Sequence, residues 1–363
     1  MSAARLEAYG LMPALRAAAA AQGEQNELPA RVTAVHKERY ALVCDRGECY
    51  GRLKSAIYYN EGTEPFPTTG DFVLIQPNDQ GDSVILKTLP RRSYFARKNP
   101  TPGQAEQAVA ANFDSVFIMQ SLNHDFNPKR LERYLTLAWQ SGAVPVVILT
   151  KADLVERFDE QIGEVMRVAA GVDVFAVSAK SGYGIDALGA YLAPGKTIVL
   201  LGSSGVGKSS FVNTLAGGEI MAVNSIREDD SKGRHTTTHR QLILLVSGVM
   251  IIDTPGMREL GMLDSQAGLS ESFADVEQYF HLCRFSNCRH ESEPGCAVQA
   301  AIAAGDLPRE RFDSYQKLLR ESSYALDSAS YLKQKQQRFT EIAKLSKSLQ
   351  KSGGKRGAYD RED

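Results

Sequence analysis

The feature that most constrains the fold of this chain is a glycine-rich run, GSSGVGKS over Gly202–Ser209, which fits the pattern G-x-x-x-x-G-K-[ST]. The run follows the apolar stretch Thr197–Leu201, and Gly217-Gly218 ends the segment after it, as expected for a strand, a loop and a helix. In that context backbone N–H groups and the helix N-terminus face a bound phosphate, because glycine leaves no side chain in the way. A chance match, or the phosphate loop of a flavin protein or a kinase, is the alternative at this point.

The phosphate loop supplies the first group of candidate site residues. Lys208 can reach the outer phosphates of a nucleotide, and Ser209 can bind magnesium. The predicted nucleotide contacts of this loop are Gly202, Ser203, Ser204, Gly205, Val206, Gly207, Lys208, Ser209 and Ser210. Further along, Asp253-Thr254-Pro255-Gly256 resembles a metal-binding D-x-x-G segment, with Asp253 for magnesium and Gly256 for the terminal phosphate. Taken alone, this tetrapeptide is explained equally well by a plain turn.

Two segments that could read the base lie before the phosphate loop in the chain. They are Thr150-Lys151-Ala152-Asp153 and Ser178-Ala179-Lys180, and each follows an apolar run. A carboxylate such as Asp153 accepts two hydrogen bonds from the N–H edge of guanine, a pair of donors that adenine lacks, and the Lys151 stem can cover the base. Thr150 stands where asparagine is usual, which weakens the motif but keeps the base-reading carboxylate.

The order of these loops predicts a circular permutation. In Ras-like GTPases the base-reading loops follow the phosphate loop, whereas here they precede it. Short apolar runs alternate with helical stretches, which indicates a mostly parallel α/β sheet: the runs are Ser115–Met119, Val144–Leu149, Val172–Val177, Thr197–Leu201 and Val249–Ile252, and the helices Pro128–Ser141 and Asp159–Ala170. Ligands of such sheets bind at the carboxyl ends of the strands, so rejoining the strands leaves every loop in place. The sequence therefore predicts a circularly permuted P-loop GTPase core over 104–263.

The remainder of the chain divides into four predicted parts. Residues 1–30 form an N-terminal extension with a short helix, and 31–98 form a small β-barrel. The predicted barrel strands are Arg31–Val35, Tyr40–Cys44, Asp71–Ile75 and Val84–Leu89. Residues 264–351 are predicted to be a helical domain, and the glycine-rich charged stretch 352–363 a disordered tail.

A cluster of metal ligands lies near the start of the helical part. Cys283, Cys288, His290 and Cys296 offer three thiolates and one imidazole, which suits one closed, four-coordinate structural zinc ion. The alternative is a set of buried thiols with an unrelated histidine. Cys44 and Cys49 flank a turn without further ligands, and we expect free thiols there.

The overall charge excludes binding of nucleic acid through a general positive charge of the whole protein. The 363 residues carry a formal net charge of −1, so any RNA contact must use local patches. Candidates are Arg91, Arg92, Arg97 and Lys98 with Tyr94 and Phe95 among them, Arg284 and Arg289, and the lysines and arginine of the last helical stretch; solvated charge is the alternative for each.

No apolar run reaches the roughly 18 residues of a membrane span, and we expect a monomer in the cytoplasm.

Five features of the chain together resemble the RsgA family of circularly permuted GTPases. They are the phosphate loop Gly202–Ser210, the D-x-x-G segment, the guanine motif, the switch-like stretch Gly233–Thr238 and the Cys/His cluster. The resemblance covers nearly the whole chain. It implies an OB-fold first domain, GTP hydrolysis with magnesium stimulated by the small ribosomal subunit, contacts with its rRNA, and a role in its late maturation. An ATP-using P-loop protein and an RNA-binding module with a vestigial nucleotide site are the rival interpretations.

The hydrolytic step lacks one expected group. Ras-like enzymes place a glutamine directly after D-x-x-G to orient the attacking water, and Met257 occupies that position here. We therefore expect slow intrinsic turnover that a partner stimulates. The catalytic candidates are Lys208 and His235, the latter as a residue that helps to position water; a solvated loop histidine is the alternative.

Overall fold

The computed structural model of the chain describes residues 6–24, 26–37, 39–61, 64–97, 107–123, 126–221, 241–253 and 266–322. Three groups of predicted residues lie outside these ranges: the switch-like stretch with His235, the end of the D-x-x-G segment with Gly256, and the C-terminal stretch 323–363 together with Lys98. Among the described helices, none has the length and apolar character needed to cross a bilayer.

A closed β-barrel forms the N-terminal part of the described chain. Its strands are β1 (Leu28–Val35), β2 (Tyr40–Cys44), β3 (Gly47–Leu53), β4 (Phe72–Gln76) and β5 (Ser83–Thr88). Successive pairing in the order β1-β2-β3-β5-β4 returns to β1, so the sheet closes on itself and leaves no edge. The predicted barrel is confirmed, but β3 was not among the predicted strands. Its Gly51 lies so close to the interior that an added Cβ would be 2.6 Å from Leu42 Cδ1.

The segment before the barrel packs against the outside of the barrel. It forms a 3-10 turn, Leu6–Tyr9, and helix α1, Pro13–Gln22, which confirms the predicted short helix. Its apolar side chains are buried in one cluster with barrel residues: Leu6, Leu11 and Ala19 with Val43, Phe72, Leu74 and Leu89. Burial of this apolar surface makes the segment part of the barrel's packing.

A two-stranded antiparallel ribbon follows the barrel and leads into the central sheet. It consists of β6 (Tyr94–Arg97) and β7 (Gln107–Ala111). Phe95 of β6 stacks on Phe113 with ring centroids 4.9 Å apart, and both side chains are buried. The ribbon therefore shares the hydrophobic core of the sheet that follows it.

The central sheet has the predicted parallel arrangement. Its strands are β8 (Ser115–Ser121), β9 (Val144–Thr150), β10 (Asp173–Ala176), β11 (Thr197–Leu201), β12 (Gln241–Leu244) and β13 (Met250–Asp253). In space they follow the order β10-β9-β8-β11-β13-β12, and β12 alone of these six described strands runs antiparallel to its neighbour in the sheet, β13. Strand β11, the fourth of the six in the chain, lies between β8 and β13, so the carboxyl ends of the parallel strands meet at one edge.

Helices cover both faces of this sheet. Helices α2 (Pro128–Gln140) and α3 (Asp159–Val168) pack on one face, and α4 (Lys208–Ala216) packs on the other. Asn127 caps α2 by accepting a hydrogen bond from the Arg130 N–H at 3.1 Å, with proline at the first helical position. Both predicted helices are confirmed, and they differ from the prediction only at their last one or two residues.

Four helices follow the central sheet in the described part of the chain, and two of them contact α2. They are α5 (Gln266–Ser272), α6 (Ala274–Glu277), α7 (Ala297–Ala304) and α8, over 309–322. Gly268 of α5 lies against the α2 backbone, where an added Cβ would be 2.5 Å from the Thr136 carbonyl oxygen. Arg311 of α8 is buried and bridges Glu132 of α2 at 2.8 Å and Asp275 of α6 at 2.9 Å. A close backbone contact and a buried ion-pair network thus hold the helical part on the core.

A buried arginine joins the N-terminal segment, the barrel and the central sheet. Arg31 of β1 is 1% exposed and donates to the carbonyl oxygens of Tyr9, Gly70 and Asn112 and to the Thr197 hydroxyl. Burial lowers the pKa of Arg31 to about 9. Strand β1 also pairs with β12 at one position, so the barrel and the central sheet form a continuous sheet.

Candidate functional site

The phosphate loop has the backbone shape that its glycines predict. Strand β11 ends at Leu201, and α4 begins at Lys208. Gly205 and Gly207 have φ angles of 74° and 108°, a region that glycine occupies without strain. Gly202 approaches β8 so closely that a Cβ would lie 2.8 Å from the Met119 carbonyl oxygen. The loop therefore presents the N-terminus of α4 and its N–H groups at the carboxyl edge of the sheet.

The lysine of the loop folds back over the loop itself. Lys208 Nζ donates to the carbonyl oxygens of Gly202 at 2.9 Å and Ser203 at 2.6 Å. Ser204 and Gly205 are exposed, whereas Ser209 and Ser210 are half-buried at the start of α4. The ammonium group therefore lies beside the loop backbone, where it could form an ion pair with an anion bound by the loop N–H groups.

The two base-reading segments contact each other through a carboxylate and a hydroxyl. Ser178, which is fully buried, donates to Asp153 Oδ1 at 2.6 Å and accepts from the Ser181 N–H at 3.2 Å. Lys151 adopts a left-handed backbone conformation with φ of 61°, which turns the chain sharply after β9. The Ala152 N–H bonds to the Val177 carbonyl at 3.1 Å. Asp153 is therefore oriented by the segment that follows β10.

Hydroxyl groups also connect the base-reading segments to the phosphate loop. Thr150 Oγ1 lies 2.6 Å from the Val206 carbonyl oxygen. Thr214 Oγ1 of α4 lies 2.9 Å from the Ala179 carbonyl oxygen and equally far from the Ser210 carbonyl oxygen of its own helix, so the two acceptors share its hydrogen. The loops after β9, β10 and β11 thus converge, as their reordered motifs predict. The sequence analysis did not single out Thr214, because a threonine inside a helix carries no signal of a contact with a distant loop.

The metal-binding candidate Asp253 is placed by the strand pairing. Asp253 ends β13, and β13 lies beside β11 with Ile252 opposite Val199. The last residue of β13 therefore reaches the sheet edge where the phosphate loop begins. The loop that follows Asp253, with Gly256, and the switch-like stretch with His235 lie outside the described residues.

The four predicted zinc ligands come together in the C-terminal part. The Sγ atoms of Cys283, Cys288 and Cys296 and a ring nitrogen of His290 all lie within 4.8 Å of one another. His290 Nδ1 is 3.5 Å from Cys283 Sγ and 3.6 Å from Cys296 Sγ. Zinc–sulfur and zinc–nitrogen bonds in a tetrahedron separate sulfur from nitrogen by about 3.6 Å. The donor set and its spacing therefore fit one four-coordinate zinc ion.

The groups around this cluster hold the ligands in place. The His290 ring stacks on Phe280 with centroids 4.3 Å apart, and the His290 carbonyl accepts from Gln299 Nε2 at 2.6 Å. The Glu293 carboxylate accepts hydrogen bonds from three backbone N–H groups of the ligand loop, beginning with that of Arg289, and these bonds lower the pKa of Glu293 to about 2. Such contacts fix the orientation of metal ligands in advance.

The basic run at the end of the barrel has partners inside the protein. Arg91 donates to the buried carboxylate of Asp71 at 2.7 and 2.8 Å, and Arg92 forms an ion pair as well. Phe95 is 3% exposed, so its predicted base stacking is wrong, because the ring fills the core under the ribbon. Tyr94 remains 45% exposed. The contribution of the arginines to RNA contact stays a prediction.

The fold and the site together define a class of protein. A parallel sheet with a phosphate loop after β11 and base-reading loops after β9 and β10 is a P-loop GTPase core whose chain order has been circularly permuted. The profile of the RsgA GTPase family matches residues 88–263. The chain belongs to the RsgA GTPase family and is a GTPase.

Two relatives from other bacteria are similar to this chain over almost its whole length. The small ribosomal subunit biogenesis GTPase RsgA 1 of Listeria innocua is 48% identical over 328 residues, covering 90% of this chain and 93% of that protein. The RsgA 2 protein of Vibrio parahaemolyticus is 41% identical over 91% of this chain and 88% of its own length.

Solved structures confirm the architecture. The structure of YjeQ from Thermotoga maritima matches with a TM-score of 0.61 at 24% identity, over 81% of this chain and 98% of that one. YloQ, described as a circularly permuted GTPase, matches with a TM-score of 0.58 at 23% identity, over 83% of this chain and 96% of that one. At these identities the likeness concerns the fold.

Proposed function

We propose that this chain is an assembly factor that binds the small ribosomal subunit and hydrolyses GTP during the late maturation of that subunit. The observation that carries the nucleotide part is the convergence of three loops, with Thr150 bonded to the Val206 carbonyl and Asp153 bonded to Ser178. The ribosomal part is supported by relatives named small ribosomal subunit biogenesis GTPases, which are 41–48% identical over most of the chain.

Each loop has a distinct task in this proposal. The N–H groups of Gly202–Ser210 hold the phosphates, and the Lys208 ammonium neutralises charge that develops on them during hydrolysis. The Asp153 carboxylate accepts two hydrogen bonds from guanine, while the Lys151 stem covers the base. The backbone of Ser178-Ala179-Lys180 completes the base pocket. Ser178 orients the Asp153 carboxylate toward the base, because the Ser178 hydroxyl donates to Oδ1.

Two metal sites belong to the proposal. The Ser209 hydroxyl and the Asp253 carboxylate would hold magnesium, which shields the negative charge of the phosphates when it is bound. The position of Asp253 at the end of β13, beside the start of the phosphate loop, supports this assignment. Cys283, Cys288, His290 and Cys296 would hold one structural zinc ion, which leaves no open position for catalysis at zinc.

The attacking water requires a group that D-x-x-G does not supply here. Met257 carries no hydrogen-bonding side chain of the kind that orients water, so intrinsic turnover should be slow. We assign the positioning of water to His235 and expect subunit binding to stimulate the reaction. The proposal includes contacts with rRNA, a monomeric state and a cytoplasmic location.

A turnover assay tests the proposed function. GTP and ATP hydrolysis are measured with and without purified small ribosomal subunits for the wild-type chain, Lys208→Ala, Asp153→Asn and His235→Ala. We expect GTP-specific turnover that the subunit stimulates, and that falls by about 10²-fold or more in Lys208→Ala because a phosphate-neutralising charge is lost. Asp153→Asn should shift preference toward xanthosine triphosphate, because xanthine replaces a donor of guanine by a carbonyl acceptor.

The same assay separates the rivals. Hydrolysis of ATP in preference to GTP would identify an ATP-using P-loop protein. Subunit binding without any turnover would identify an RNA-binding module with a vestigial nucleotide site. Unchanged stimulated turnover in His235→Ala would remove His235 from the mechanism and leave the GTPase assignment intact.

A further inference from the structure

A cavity of about 350 Å³ lies at the edge of the central sheet opposite the nucleotide site. Its wall includes Ser115 and Val144, which begin β8 and β9, and Lys196, which precedes β11, so it is at the amino ends of these parallel strands. The phosphate loop and the base-reading loops follow the carboxyl ends of the strands. The cavity is therefore a separate site, and its volume is within the range of small-molecule pockets.

One buried hydroxyl group in this cavity is unpaired among the described residues. Ser115 is 5% exposed and lines the cavity, and no described residue forms a hydrogen bond with its hydroxyl group. It shares one face of β8 with Phe117, whose ring packs edge-on against the cavity residue Tyr191, with centroids 6.1 Å apart. Buried polar groups are almost always hydrogen-bonded, so this hydroxyl indicates a ligand that pairs with it.

Positive charge predominates around the cavity. The Arg92 guanidinium and the Lys196 ammonium belong to its wall, and both bond to the Asp114 carboxylate, at 2.9 and 3.1 Å. Arg92 also donates to the Asn112 carbonyl oxygen, which it shares with the buried Arg31. Asp114 is the one acidic residue among the described residues of the wall, so two cations, with a third behind them, face one carboxylate. This balance of charge favours a negatively charged ligand.

Apolar surface forms much of the remaining wall. Phe113, Val144, Ala190 and Tyr191 all line the cavity. The Tyr191 hydroxyl donates to Asp173 at 2.5 Å, which holds the ring in one orientation. Val144 is 49% exposed, although the other residues of β9 are buried. A flat apolar group packed against Val144 would remove this surface from water, which is favourable.

We propose that this cavity binds a small organic anion whose carboxylate or phosphate group is attached to a flat apolar body. The anionic oxygens accept hydrogen bonds from the Ser115 hydroxyl and the Lys196 ammonium, and the apolar body packs against Val144 and Tyr191. Hydrogen bonds to a charged group are stronger than those between neutral groups. Because the cavity and the phosphate loop are at opposite edges of the sheet, this anion and a guanine nucleotide bind at the same time.

Three small probes test the site on the full chain. Binding of benzoate, phenyl phosphate and benzyl alcohol is measured by ligand-observed NMR titration, with and without GDP and magnesium. We expect benzoate or phenyl phosphate to bind with a dissociation constant of about 1 mM. Benzyl alcohol carries the same ring without a charge and should bind at least about fivefold more weakly. The tighter of the two anions identifies the acidic group that the cavity prefers.

Two variants test the contacts of the anion. Ser115→Ala and Lys196→Met should each weaken anion binding by about tenfold, because each removes a hydrogen bond to a charged group. Lys196→Met should leave the binding of benzyl alcohol unchanged. Ser115→Ala should also leave the temperature of thermal unfolding unchanged, since no described residue loses a hydrogen bond. Thermal unfolding shows in addition that each variant is folded.

Ser272→Ala is the matched control for Ser115→Ala. The Ser272 hydroxyl is likewise buried and unpaired within the described part of the chain, but it belongs to α5 and not to the cavity wall. This variant loses the same atom and should bind the anion as the wild type does.

Each result supports or overturns the inference. Weaker anion binding in Ser115→Ala and Lys196→Met, with wild-type binding in Ser272→Ala, supports it. Absence of binding of both anions at about 10 mM would overturn it. Equal affinity for benzyl alcohol, wild-type anion affinity in both variants, or displacement of the anion by GDP would overturn it as well. GDP affinity is measured in the same samples, and a wild-type chain that binds the anion but no GDP would contradict the proposed GTP function instead.

Discussion

At the scale of single residues, Asp114 shows how one carboxylate fixes the edge of the sheet opposite the nucleotide site. It accepts hydrogen bonds from Arg92 at 2.9 Å, from Lys196 at 3.1 Å and from the Thr197 N–H at 2.8 Å. Burial alone would raise the pKa of Asp114, but the bonds from Arg92 and Thr197 outweigh burial, and the pKa is lowered from 3.8. We expect Asp114→Asn to reduce the free energy of unfolding at neutral pH by about 2–3 kcal/mol.

The pH dependence of that loss follows from the direction of the shift. A depressed pKa stabilises the folded state at pH values above 3.8, and this contribution disappears as the pH falls through the lower, folded-state pKa. Urea denaturation should therefore show the variant and the wild type approaching each other in acid. Asp79→Asn is the control, because Asp79 is 90% exposed and its pair with Arg46 should contribute less than about 1 kcal/mol. A difference that persists in acid would contradict the assignment.

At the scale of elements, we expect the order of the segment between α6 and α7 to depend on a metal ion bound by its Cys/His cluster. Over 283–296 the chain forms turns and bends with no α-helix or strand, so few backbone bonds hold it in place. Zinc binding should contribute on the order of 10 kcal/mol to the order of this segment. We expect Cys288→Ser, or a strong chelator, to abolish binding of one zinc equivalent. The exposed residues Arg284 and Arg289 should then become sites of trypsin cleavage, because the backbone around them is no longer held in a fixed conformation.

The matched control for the zinc prediction is Cys49→Ser. Cys49 is half-buried in the barrel and is not bridged to another cysteine, so this variant should keep one zinc per chain and wild-type trypsin resistance. Zinc content is measured by mass spectrometry of the metal, and cleavage sites by peptide mapping. Retention of one zinc by Cys288→Ser would show that the cluster is not the binding site.

At the scale of the whole molecule, Arg31 holds three parts of the chain together. Its guanidinium donates to backbone oxygens of the N-terminal segment, the barrel and the stretch before β8, and it lies over the Phe72 ring at 4.9 Å. Replacing it with methionine removes the guanidinium donor from all three oxygens, although Asn112 Nδ2 still donates to the Gly70 oxygen and Arg92 to the Asn112 oxygen. We expect Arg31→Met to lower the free energy of unfolding by about 3–5 kcal/mol and to separate unfolding of the barrel from that of the core.

The control for Arg31 is another arginine of the barrel. Arg39 is 43% exposed in its side chain, pairs with Asp82 at 2.8 Å and covers the Tyr50 ring. Arg39→Met should cost less than about 1 kcal/mol and leave unfolding cooperative. Hydrogen exchange followed by peptide separates the two regions. Cooperative unfolding of Arg31→Met would show that other contacts join the barrel and the core.

The nucleotide loops illustrate what could be predicted at the level of the site. The phosphate loop was predictable because glycine, lysine and serine each have a task that few other residues can perform at that spacing. The direction of the Thr150 side chain was not, because its partner Val206 is 56 residues away in the chain. The contacts of Thr214 and Arg31 could not be predicted for the same reason, since their partners belong to other elements.

The sequence by itself determined most strands of the central sheet, its helices α2 and α3, the order of the motifs and the Cys/His cluster, because these depend on residue type and short spacing. It also indicated the permutation, since motif order is a property of the chain. Only the tertiary structure decided that the N-terminal segment packs on the barrel, that β3 closes the barrel, and that Phe95 lies in the core. Those outcomes depend on which surfaces are buried against one another, and burial is set by contacts between residues far apart in the chain.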